Sequence, residues 1–226
     1  VIIINKKMKC EGSSFTSVVQ GTVRFNTYVF LALSASLFGD EGLILSALLI
    51  TFAIPLINVI CITAFALYVN DSKLNFISLL KSIVTNPLIL ACFIGGGINF
   101  IGFTLPIPIE KIFYILSAAA LPMGLLSVGV GLELKGLSQS KNELMISTVF
   151  KLMLLPVIMY ALGMAFGIST LALSVILIFA AMPTAPSAFV LARQLGGDVK
   201  LMSSVITLQT LVSIFTLAVI IQLVVK

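Results

Sequence analysis

The sequence contains no histidine and very little charge. Without histidine, Ser-His-Asp and Cys-His catalysis are excluded, and most zinc sites with them. Only 9% of the 226 residues are charged, whereas 60% are hydrophobic. The mean hydropathy is +1.23. A soluble domain of this length needs far more polar residues to cover its surface. Cysteine is scarce too. Cys10, Cys61 and Cys92 are odd in number and lack CxxC spacing. Cys61 and Cys92 read as small buried thiols inside apolar spans. No signal peptide with a cleavage site is visible, and the apolar start, residues 1–5, is too short to span a bilayer. No span carries a central aspartate, which weighs against a sodium or proton antiporter. The lack of paired carboxylates or a Cys dyad disfavours a membrane-embedded enzyme. No catalytic residue, cofactor or metal is expected.

Long charge-free runs dominate instead: residues 42–70, 82–109, 152–192 and 201–225. A helix crosses the hydrocarbon core with roughly 20 apolar residues. The pattern predicts an all-α integral membrane protein of about seven transmembrane helices: 14–38, 42–69, 87–102, 109–134, 144–166, 171–194 and 199–225. Lys6, Lys7 and Lys9, then Lys73 and Lys81, Lys135 and Lys141, and Arg193 and Lys200 fall in alternate loops. By the positive-inside rule these loops are cytoplasmic and the C-terminus is outside. The net charge of +5 is explained by these loops, not by nucleic acid.

Residues 44–49 resemble residues 201–206 at a 157-residue offset, which Gly39 and Gly196 share. The first two spans therefore match the sixth and seventh, in opposite orientation. Inverted repeats of this kind mark secondary transporters. The reading divides the chain into a cytoplasmic stub (1–12), the last two helices of a first repeat (13–69) and a complete second five-helix repeat (86–226). Three helices, about 80–90 residues with short loops, would be missing before the first span. On that reading the chain is a truncated fragment that does not transport alone. The alternatives are a non-transporting remnant, or a partner polypeptide that supplies the missing helices.

Two places break the helical pattern. In the sixth span, Pro183 and Pro186 flank Thr184, with Ser187 following. Proline removes a helix donor and clashes one turn back. Freed backbone in lipid must face protein or a cavity, so such a break either binds a solute or is a packing kink. The repeat partner, residues 20–28, holds Gly21, Arg24, Asn26 and Thr27. Gly21 is expected to loosen that helix. Arg24 either faces the interior, where a cation beside open amides suits an anion, or snorkels to the cytoplasmic surface. Lys151 and Glu133 read as interface residues rather than an ion pair. Pro55, Asn58 and Pro122 read as kinks. Gly95, Gly96 and Gly97, and Gly163 with Gly167, read as close helix contacts.

Residues 21–28 (GTVRFNTY), Asn86-Pro87, residues 117–127 (SAAALPMGLLS), and above all residues 181–198 (AMPTAPSAFVLARQLGGD) with Gln209 resemble the auxin efflux carrier family. The likeness is greatest to its bacterial branch of malonate or malate permeases, and runs from about residue 13 onward. It implies a ten-helix fold of two inverted five-helix repeats, with one broken helix in each crossing at mid-membrane. It implies a carrier of small organic anions such as dicarboxylates, working by alternating access in the cell (inner) membrane, with a homodimer as a possible assembly. Substrate-binding residues carried over are Arg24, Asn26, Thr27, Pro183, Thr184, Pro186 and Ser187. The implied partners are the anion and the lipid bilayer.

Overall fold

The structure, a computed structural model, describes residues 10–69, 87–130 and 140–224. The lysine-bearing links 70–86 and 131–139, with Glu133, lie outside the described residues. The regular structure is entirely helical: α1 (Gly12–Val23), α2 (Thr27–Tyr68), α3 (Pro87–Ile101), α4 (Ile107–Val130) and α5 (Lys141–Val149). A π-helical turn (Phe150–Leu154) joins α5 to α6 (Leu155–Ala165), and α7 (Thr170–Ala181), α8 (Ser187–Leu195) and α9 (Val199–Val224) follow. Together they make seven helical passes, as the hydropathy predicts.

The first hairpin is tighter than the expected loop 39–41. Helical geometry is interrupted only at Gly39, with φ 60° and ψ −147°, a conformation that glycine tolerates. Asp40 and Glu41 are already helical. Pro55 leaves α2 continuous. The fifth pass is α5, the π turn and α6, a run of 25 residues. Gly163 lets α6 approach α7 closely, since a Cβ there would collide with Leu173. Gly167 instead turns the chain at φ 63°, and Gly95, Gly96 and Gly97 have nothing within 4 Å among the described residues. Among the described residues those glycines make no close helix contact.

Two larger apolar clusters make up most of the core, with a third, smaller one at Phe15, Val19 and Ala64. One gathers Phe25, Phe30, Val175, Ile178, Phe179 and Met182 with Ile50 and Leu217. The other gathers Val18, Leu144, Ala188, Ala192, Leu201 and Val205. Between them lie the interruptions that separate α1 from α2 and α7 from α8. At one end of the bundle, Asp198 ties α1 to α9. Its Oδ1 caps α9 by accepting from Leu201 N (2.9 Å), and its Oδ2 accepts from Ser14 Oγ (3.0 Å). Nearby, Cys10 Sγ donates to Glu143 Oε1 (3.5 Å). This end also carries Lys141, Arg193 and Lys200, so three of the cations assigned to cytoplasmic loops share one side.

Large apolar side chains such as Ile94, Phe100, Phe113, Phe166 and Phe215 face outward, a surface suited to lipid rather than water.

Candidate functional site

Each break leaves backbone groups that a bilayer cannot satisfy. The structure resolves this by placing the two breaks against each other. Asn26 N donates to Pro183 O at 2.8 Å. Asn26 also caps α2, its Oδ1 accepting from Val29 N (3.2 Å) and its carbonyl from Phe30 N (3.0 Å). This Asn cap explains how the first break forms without proline. In the second break, Pro183 and Pro186 bring no donors, and Thr184 N finds Gln209 Oε1 at 3.0 Å.

The two sides of the crossing differ. The inner side is closed, and the polar groups of the second break are hydrogen-bonded there. Thr184 is fully buried, its hydroxyl within reach of Gln209 Oε1 (2.8 Å) and Gly21 O (2.9 Å). Gln209 Nε2 donates to Gly21 O (2.9 Å) and Ser147 Oγ (3.2 Å). Gly21 does not loosen its helix here. It is the point of closest approach, where a Cβ would strike Ser147 Oγ and Val205 Cγ1. The outer side is open. The partly buried Arg24 donates from Nη2 to Asn58 Oδ1 (3.1 Å) and from Nη1 to the exposed Ser187 Oγ (3.3 Å). The guanidinium is therefore engaged by protein groups on two other helices. Thr27 opens α2 and Pro186 precedes α8, both half-buried at the rim.

All seven expected residues thus lie at one crossing. Several neighbours were not expected. Asn58, expected as a kink, is Arg24's partner. Gln20, just before the break, is fully buried with neither side-chain amide atom hydrogen-bonded. Asn26 Nδ2 and Arg24 Nε are likewise buried without partners. Lys151 departs furthest from expectation. It is not at the interface but is the eleventh residue of the 25-residue pass, 0% exposed. Its Nζ has no hydrogen-bond partner and sits 5.9 Å from the Phe179 ring centre. The four-residue spacing of Ser147 and Lys151 is the signal that could have found this face.

The profile of the Membrane transport protein family matches residues 71–221. The chain belongs to this family. The match agrees with the auxin efflux carrier likeness read from the sequence. It includes Lys151, the second break and Gln209, while Arg24 and Asn26 lie before it. A "Putative malonate transporter" of Rhizobium meliloti is 32% identical over 137 residues, which is 60% of this chain and 43% of that protein. An uncharacterized transporter of Methanocaldococcus jannaschii is 28% identical over 144 residues, 62% of this chain and 47% of that protein. The chain therefore spans less than half the length of the curated relatives it matches. No solved structure matches it. Family, fold and composition together make this chain a member of a family of membrane transport proteins.

Proposed function

We propose that this chain carries the solute-binding crossing of a secondary carrier for small organic anions, with dicarboxylates the favoured class. The observation that carries the reading is the meeting of the two breaks at Asn26 and Pro183, with the Arg24 guanidinium beside them. A cation held by neutral partners, Asn58 and Ser187, has no acid to neutralise it among the described residues. It can exchange those hydrogen bonds for a carboxylate in bidentate geometry. Asn26 Nδ2 is a further donor at the same place. The name of the Rhizobium relative, a malonate transporter, points to the same chemistry.

In this reading the roles divide. Arg24, Asn26 and Ser187 contact the anion, with Thr27 and Pro186 at the rim. Pro183 and Thr184 hold the crossing in shape. The two broken passes belong to inverted repeats, 13–69 and 86–226, and access alternates across the crossing in the inner membrane. In the intact protein two copies associate as a homodimer.

Uptake of radiolabelled malonate by the whole protein in proteoliposomes tests this. Saturable uptake is expected, with Arg24→Gln reducing it at least about tenfold, the loss of one charge-assisted pair. Uptake indifferent to Arg24→Gln, or the absence of any carboxylate transport, would refute the reading.

A further inference from the structure

We infer that Lys151 is a second cation of the anion site, pairing with a carboxylate group when the inner side of the crossing, closed in this state, opens during transport. The inference rests on the organic-anion reading above and deepens it: two cations at one crossing select a dianion.

Lys151 is fully enclosed and its ammonium has no hydrogen-bond partner. The elements packed on the π turn offer it no acid. Neither α1, α6 nor α7 contains a charged residue. In α5, Lys141 and Glu143 lie in the first turn at the end of the bundle, and α9 carries only Lys200, beside the Asp198 cap. Buried charges in proteins are paired, so the charged form of an enclosed lysine without an acid calls for an anion from elsewhere.

Its position links it to the crossing by two routes. Ser147, one turn before it, hydrogen-bonds Gln209 Nε2, which also holds Gly21 O. The Phe179 ring beneath the ammonium meets Phe25 edge-to-face at 4.5 Å, and Phe25 lies between Arg24 and Asn26 in the first break. The helix itself is modified here: the π turn runs from Phe150 to Leu154, around Lys151. Such single-turn bulges occur frequently at functional sites, because the extra residue re-aims a side chain.

The test is malonate and acetate binding to the whole protein in nanodiscs, by calorimetry, for wild type, Lys151→Met, Lys151→Gln and Lys151→Arg. Wild type is expected to bind malonate more tightly than acetate. Met and Gln variants should lose malonate affinity by about tenfold or more, and bind malonate and acetate alike. Lys151→Arg should keep most of the malonate affinity. A merely structural lysine would not alter the malonate-to-acetate ratio. Malonate affinity within twofold of wild type in Lys151→Met or Lys151→Gln overturns the inference. So does an arginine variant that loses as much as methionine. Should the Met variant not fold, the Gln and Arg variants decide. Failure of wild type to bind either anion is a different result, and counts against the carrier reading itself.

Discussion

Gly21 shows how a single missing side chain sets the geometry of the crossing. Its Cα lies against Ser147 and Val205, and its carbonyl accepts from both Thr184 and Gln209. Gly21→Ala inserts a methyl where there is no room, so one helix must move. Overpacking of this kind typically costs about 1–3 kcal/mol. Gly21→Ala should therefore lower the thermal midpoint measured by detergent size-exclusion, whereas Gly95→Ala, with open space around it, should not. Cys10 is informative outside the span. Partial burial, and then the hydrogen bond and charge of Glu143, push its thiol above the ordinary cysteine range. Because only the thiolate alkylates, Cys10 should react more slowly with maleimide at pH 8 than an exposed cysteine. Glu143→Gln should raise its rate. An unchanged rate would show that the carboxylate does not act on this thiol.

The two broken passes reach the same shape by different chemistry. Proline enforces the interruption between α7 and α8, and an asparagine cap that between α1 and α2. Gln209, on an unbroken helix, closes both by serving Thr184 and Gly21 at once. Gln209→Leu leaves Thr184 N without a partner in an apolar interior, at about 1–3 kcal/mol, and removes one of the two donors to Gly21 O. It should destabilise the protein clearly more than Gln222→Leu, on the exposed face of the same helix, in a thermal comparison of the two. The breaks were legible in the sequence because proline and buried Asn or Arg are conspicuous in apolar spans. What closes them was less so. Asn58 and Ser147 look like ordinary polar residues in apolar helices, and their role depends on which face a tertiary contact selects. Lys151 was misplaced because hydropathy counts residues from a span's edge and cannot register that α5 begins at Lys141. A single-residue turn at Gly39 likewise leaves no signature beyond the glycine itself.

At the scale of the molecule, the alternation of lysines predicts an orientation that the structure makes testable at described positions. Asn142, in the first turn of α5, sits at the end carrying Lys141 and Lys200, and Ser169 lies in the opposite turn before α7. Both are exposed. A membrane-impermeant maleimide added to intact cells should label Ser169→Cys and leave Asn142→Cys untouched until the cells are opened. The reverse pattern would invert the topology.

The hydrogen bonds at the crossing also impose an order on biosynthesis. Gly21 accepts from Thr184 and Gln209 across 163 and 188 residues of sequence. At about 5–20 residues per second, those partners leave the ribosome roughly 10–40 s after Gly21 does. During that interval the first break enters the bilayer with its carbonyl and the Asn26 amide unanswered, and each open group in hydrocarbon costs several kcal/mol. The nascent hairpin therefore has to wait beside water, in the insertion machinery, until the sixth and seventh passes arrive to release it. Chains stalled near residue 170 should remain crosslinkable to that machinery through position 26, and chains released after residue 224 should not.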